Sequence, residues 1–577
     1  MRYLFLSLIF VFCFNSVFCK DYLSIDEIKP GMKGYGLSVF KGWEPEKFDV
    51  EIIDVIKNTS PKRSYILARL SGQNLEKTGV IAGMSGSPVY VDGKIVGAVA
   101  YTWSFSKEPI CGITPLENML EEKKYVRSKE KQLSGENDKF FKKITTPIFI
   151  SGFPGPVKSY LESFFSTNTF LNPVMILESS KMSDSSLKNT ERTLKPGDAV
   201  AINLVEGDLN LEAIGTVTYT NNDEVFIFGH PMNGDGFVSL PISRGYIFTT
   251  IPSSYLSFKL GASSTPVGST VYDGQNAVYC RTGKEADMVP FYVTVREGEV
   301  KNSYSFNVVD NKNFFPNLST AALVASILNQ TGYMDEKRIN MSFLLNFKAS
   351  GKDYAITNKI VYSYYPSFYN FLSLVSDLNS FFSIFYYNEI SDLKISKCLV
   401  DIEIEPEAFY YVLDSAGIDR KIYEPGDMIR LKVVMKAFKG NYITKFLYLK
   451  IPDDIKNGQY NLIVGSEAAV YSELRRSFPF YFRIAGIEDL IYWGSFKINP
   501  ANLVAAIVIP RQGIVVLDKK LTSFPEVYAD FFQSTTDKTY IPVFPEVFSQ
   551  TISMDGTVFS SFRLIFNVGQ VKTERQE

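Results

Sequence analysis

From Tyr22 to about Asn118 apolar and β-branched residues come in short runs, interrupted every few residues by glycine. A chain punctuated this densely is directed toward small, tightly turned strands rather than long helices. Glu51 to Ile56 and Tyr65 to Leu70 read as strands. Pro88 to Val91, Asp92-Gly93 and Lys94 to Trp103 read as a hairpin, because Asp-Gly readily takes the positive φ angles of a two-residue turn. The pattern returns after Pro196-Gly197-Asp198. Ala199 to Val205 and Ile214 to Thr220 alternate as strands, Asn221-Asn222-Asp223 is a turn, and Glu224 to Phe228 is the return strand. Strand-like runs continue to about Val295. The 46 Phe and 34 Tyr add to the β character.

Other segments read differently. Glu117 to Lys143 is charge-dense and reads as a solvated helix or linker. A second polar stretch covers Ser179 to Lys195. Pro316 to Leu328 has a helical pattern with Ser319 as its cap. Phe368 to Tyr387 is apolar and aromatic, but Asn370, Asp377 and Asn379 interrupt it, so it reads as a buried helix rather than a membrane span. Cys398 to Leu474 has strand spacing with turns at Glu424-Pro425-Gly426-Asp427 and Asn457-Gly458, which suits an immunoglobulin-like sandwich. The expected organisation is a leader (1–19), a serine-bearing β segment (20–120), a charged connection (121–195), a histidine-bearing β segment (196–297), a mixed α/β region (298–397), the sandwich (398–474) and a β-rich C-terminal region (475–577).

The leader has Arg2, an apolar stretch from Tyr3 to Phe14, and then Asn15 to Cys19 before Lys20 and Asp21. It reads as an export signal, which places the mature chain in the periplasm, in the cell envelope or outside the cell. Cys19 is the candidate for a lipidated first residue and hence for membrane attachment. Beyond it only Cys111, Cys280 and Cys398 remain, with no metal-site spacing, and they allow either one disulfide or three buried thiols. The 60 Lys+Arg against 62 Asp+Glu give no support to nucleic-acid binding through counterion release. The chain has one histidine, His230, which excludes zinc sites built on two or three histidines. Any Ser-His chemistry within one chain must use it.

The sharpest motif is Gly83-Met84-Ser85-Gly86-Ser87-Pro88, directly before the Asp92-Gly93 hairpin. A serine nucleophile needs a tight, glycine-flanked turn that exposes its hydroxyl and aims backbone N–H groups at one point. Ser85 would be the nucleophile, and the amides of Gly83 and Ser85 the oxyanion donors. The second element is Gly215-Thr216-Val217-Thr218-Tyr219, leading through a hairpin to Gly229-His230-Pro231-Met232-Asn233-Gly234-Asp235-Gly236. Asp235 is the favoured acid for a triad, with Asp198 and Asp49 as alternatives and a Ser-His dyad as another.

Both elements resemble one family. The Gly83–Pro88 hexapeptide, with Asp92-Gly93-Lys94 and Gly97-Ala98-Val99, resembles the serine motif of peptidases typified by stage IV sporulation protein B (SpoIVB). Gly215-Thr216-Val217-Thr218 with Gly229-His230 is similar to that family's histidine motif. The resemblance covers roughly residues 30–120 and 195–290. It implies a trypsin-like double β-barrel, a peptide substrate and no cofactor. In the sporulation peptidase the histidine segment comes first and a PDZ-like domain is present. Here Ser85 precedes His230 and no such domain is recognised, which suggests two half-barrels in permuted order. The expected fold is therefore mainly β, a double barrel followed by α/β and immunoglobulin-like regions. The expected function is an exported serine endopeptidase. The rival is a non-catalytic envelope or surface protein whose β-domains bind a partner, and a carbohydrate-binding β-protein is a third class.

Overall fold

The computed structural model describes residues 22–60, 63–103, 106–128, 142–168, 175–178, 193–331, 336–364, 368–390, 392–406, 410–496, 498–516, 519–521, 539–540 and 543–569. The leader with Cys19, residues 129–141 of the charge-dense stretch Glu117 to Lys143, and residues 179–192 of the polar stretch Ser179 to Lys195 lie outside the described residues. The chain forms two compact units: Met1–Phe149, Phe165–Ile202 and Glu212–Glu285 make the first, and Ile150–Phe164, Asn203–Leu211 and Ala286–Glu577 the second.

In the first unit six strands form a closed barrel. They are β1 (Lys33–Ser38), β2 (Glu46–Ser60), β3 (Arg63–Ser71), β4 (Pro88–Val91), β5 (Lys94–Thr102) and β6 (Ile110–Pro115). Their order is β4-β1-β2-β3-β6-β5, and β5 pairs back onto β4. Closure leaves no open edge to pair with another chain. Period-two alternation fills the interior: Phe48, Val50 and Ile52 from β2 meet Ile66, Ala68 and Leu70 from β3. The hairpin turn has φ of +50° at Asp92 and +76° at Gly93, the conformation that Asp-Gly favours.

The histidine-bearing segment repeats this plan with β7 (Ala199–Gly207), β8 (Asn210–Asn221), β9 (Glu224–Ile227), β10 (Pro241–Ile251), β11 (Phe258–Asp273) and β12 (Val278–Thr282). Their order, β7-β10-β11-β12-β9-β8, also returns to its start through pairing of β8 with β7. Ser85 precedes a strand of one barrel and His230 follows a strand of the other, as the trypsin-like reading requires. Cys111, Cys280 and Cys398 are buried free thiols.

In the second unit Met288–Glu297 pairs antiparallel with Val300–Val309 and parallel with Lys394–Pro406. The helix Phe315–Thr331 starts four residues before Ser319, so that residue is buried within the helix and is not its cap. The helix expected near 368–387 spans Phe368–Ser383. The sandwich is wider than 398–474 and begins later. Residues 394–406 pair in the sheet just described, so 398 is not a boundary. The sandwich strands run from Tyr410–Ile418 to Ser561–Val568, and Leu413, Leu431 and Val433 share one core with Leu503, Val558 and Phe566. A sheet with one apolar face needs a second layer, and the region expected as separate, 475–577, supplies much of it. Among the described residues no helix is long and apolar enough to cross a membrane.

Candidate active site

The serine turn is shaped by two glycines and held from the neighbouring barrel. Gly83 and Gly86 both have φ of +96°, a conformation that L side chains rarely adopt. A Cβ on Gly86 would also lie 2.0 Å from the Thr216 carbonyl oxygen. Thr216 and Thr218, two residues apart on β8, face the turn together. The Thr216 amide donates to the Ser85 carbonyl (2.8 Å), the Thr216 hydroxyl to the Gly83 carbonyl (2.9 Å) and the Thr218 hydroxyl to the Gly86 carbonyl (2.8 Å). Within the turn the amides of Met84, Gly86 and Ser87 donate to Ile81, Val99 and Met84. The amides of Gly83 and Ser85 meet no acceptor among the described residues, although both residues are buried. Buried amides are nearly always paired, so two unpaired ones in one turn mark a place built for something else.

His230 follows a backbone held out of the usual regions. Phe228 has φ of +72° and Gly229 of +69°. A bulky aromatic residue in that region is strained by on the order of 1–3 kcal/mol, and such strain is concentrated at functional sites. The result brings His230 Nε2 to 2.5 Å from Ser85 Oγ. Nδ1 lies 2.8 Å from the Pro231 carbonyl oxygen, which can only accept, so the proton of the neutral ring sits on Nδ1 and Nε2 offers its lone pair to the serine. Ser85 Oγ also lies 2.8 Å from the Phe228 carbonyl, a second acceptor for the same hydroxyl proton. The Thr114 hydroxyl anchors the Gly229 carbonyl at 2.6 Å.

No expected acid occupies the position beyond the histidine, where the Pro231 carbonyl stands instead. Asp235 accepts from the Asn233 side chain at 2.6 Å. Asp198 accepts from the Lys195 amide and pairs with Arg244 at 3.3 Å, fixing the start of β7. Asp49 lies within β2, opposite Tyr35 and Ser71. The carboxylate that organises the histidine loop is Asp273, at the end of β11. It accepts from the amides of Met232 (2.8 Å), Asn233 (2.7 Å) and Gly234 (2.7 Å). Burial, the largest influence, pushes its carboxyl up to about 6 despite these bonds. The only signal in the sequence is Asp273-Gly274, a turn dipeptide inside a run that otherwise reads as strand.

Asp273→Ala would leave four amides without their acceptor, the fourth being that of Asp235 at 3.4 Å, and of these the amides of the buried residues Met232 and Asn233 are each worth about 1–3 kcal/mol when unpaired. The expected result is a loss of about 2–5 kcal/mol in stability, read from urea unfolding, and a weakened histidine loop. A variant as stable as the parent would show that the loop holds itself.

Ser85 is fully buried and His230 is 2% exposed. Burial first, and the nearby charge of Lys143 second, push the imidazole down to about 3, while the Pro231 contact opposes them. Beneath the turn lies Lys259, also fully buried, with its methylenes 3.2–3.4 Å from where a Gly83 Cβ would be. Its amine donates to Ser38 Oγ at 2.8 Å and approaches Thr216 Oγ1 at 3.4 Å, and Ser38 in turn bonds Ser87 at 2.9 Å. Burial lowers the amine to about 7. Among the described residues no group of three or more His, Cys, Asp or Glu is placed to hold a metal ion.

No curated protein and no solved structure matches this chain. Residues 23–120, which hold the first barrel and its serine turn, match the family described as SpoIVB peptidase S55.

Proposed function

We propose that the protein is an exported serine endopeptidase in which Ser85 attacks the peptide carbonyl and His230 is general base and then general acid. The observation that carries this is the 2.5 Å contact of Nε2 with Oγ beside the two unpaired amides of Gly83 and Ser85. The histidine takes the serine proton as the C–O bond forms, and the two amides receive the oxyanion. The imidazolium then protonates the leaving amine, and water repeats the sequence on the acyl-enzyme. The Pro231 carbonyl does the part of a triad acid that concerns the tautomer. Being neutral, it gives the imidazolium less support than a carboxylate. Because the pair is buried, a substrate carbonyl reaches Oγ only when neighbouring segments move aside, a gating step common in enzymes. The apolar stretch from Tyr3 to Phe14 supports export.

The test is labelling of the exported protein with a serine-directed fluorophosphonate. The parent should label and Ser85→Ala should not. His230 stays neutral far below the ordinary histidine pKa of about 6.5, because its own is pushed down to about 3. Labelling should therefore persist as pH falls through 6.5 and decline only well below it. A label retained by Ser85→Ala, or no label at any pH, would count against the peptidase and leave a peptidase-like shell. Export is tested on the same sample, whose N-terminus should lie near Lys20 and not at Met1.

A further inference from the structure

In the first unit a cleft of about 180 Å³ is walled partly by Glu76–Val80, the segment that runs into the Gly83–Ser85 turn. Another wall is Ser253–Ser257, whose last carbonyl accepts from the Ala82 amide at 2.8 Å. The cleft is thus bounded by the two chain segments that meet just before the nucleophile, where a side chain of a bound peptide can project.

Its charges are uneven. Lys77, Lys107 and Lys143 line it together with Glu76 and Glu108. Both carboxylates are engaged: Glu76 accepts from the Gly72 amide at 2.7 Å, and Glu108 pairs with Arg69 at 3.0 Å. Lys77 and Lys107 meet no carboxylate among the described residues, and both are exposed to an incoming ligand. Lys143 lies near enough to His230 for its charge to disfavour the imidazolium. Cations gathered in a concavity with low-dielectric walls concentrate their field on whatever enters.

We propose that this cleft receives an acidic side chain of the peptide substrate, with Lys77 and Lys107 as its counter-charges. The proposal rests on the reading of Ser85 and His230 as a peptidase site.

The experiment compares cleavage of peptide pairs that differ only by Glu or Gln at successive positions around the scissile bond, using the full exported chain. At one position the Glu peptide should have about tenfold higher kcat/KM, and the advantage should shrink as salt is raised. In Lys77→Ala/Lys107→Ala the ratio should fall toward one. In Lys77→Glu/Lys107→Glu the preference should turn toward a Lys peptide, a gain that misfolding cannot mimic. Equal cleavage of all Glu and Gln pairs by a parent that labels with fluorophosphonate would overturn the cleft proposal alone. A preference for Glu that survives both lysine substitutions would also overturn it. A parent that neither labels nor cleaves any peptide would overturn the peptidase reading, and the cleft proposal with it.

Discussion

Ser85→Ala and His230→Ala should each lower kcat by on the order of 10⁴-fold or more, and the double variant should be little slower than the worse single one. The two side chains share one proton across 2.5 Å, so once either is gone the transfer is gone and the second loss removes nothing further. The unpaired amides of Gly83 and Ser85 remain in all three variants and account for what residual rate is left. Ser87→Ala should be milder, because its hydroxyl bonds Ser38 rather than the histidine. The measurement is peptide hydrolysis by purified mature protein, with far-UV circular dichroism to show folding. His230 is the single histidine of the chain, so an unchanged rate in His230→Ala would leave no other imidazole to serve as base and would end the Ser-His mechanism.

The second large effect concerns stability. Among the described residues no carboxylate pairs with the buried Lys259, its amine is lowered to about 7, and the ordinary value is 10.5. Between these values the unfolded chain binds a proton that the folded chain does not, so folding becomes less favourable as pH falls from about 10.5 to about 7. Below about 7 both states are protonated and the slope vanishes. Each tenfold change in proton affinity is worth about 1.36 kcal/mol, so the full span is on the order of 5 kcal/mol. The parent should therefore gain several kcal/mol relative to Lys259→Met as pH is raised from 7 to 10, read as diverging urea midpoints. At neutral pH the methionine should be tolerated well, since it fills the same space beside Gly83 without a buried charge. Parallel curves for parent and variant would show that the amine keeps an ordinary affinity for its proton inside the fold.

The barrels were legible because their signals are local. Asp92-Gly93 and the alternation of Phe48, Val50 and Ile52 act within a few residues, and both the hairpin and the strand appear where those residues place them. The nearness of Ser85 to His230 was legible only through family resemblance, since no periodicity links positions 145 residues apart. Asp235 was the natural candidate for the acid by nearness in sequence. Backbone amides of the loop converge instead on Asp273, from a different strand, and a carbonyl one residue away meets the ring. Lys259 reads in sequence as an ordinary strand lysine. Its burial follows from how two barrels meet at the serine turn, which alternation along one strand does not encode. The sandwich boundary failed for a similar reason, because Val558 and Phe566 cover a face made 130 or so residues earlier.

The holding of the serine turn by Thr216 and Thr218 also orders events in time. These two threonines are 133 and 132 residues downstream of the carbonyls they bind, and His230 is 145 residues downstream of Ser85. At a synthesis rate of about 5–20 residues per second, these partners are made roughly 7–30 s after the serine turn. Throughout that interval the turn has its own bonds to Ile81, Met84 and Val99 but lacks the two threonines that hold it from the second barrel. Under the proposed mechanism, a chain made in this order has no base for its serine until the second barrel is complete, whereas one that made its histidine barrel first would arm the serine as soon as the turn emerged.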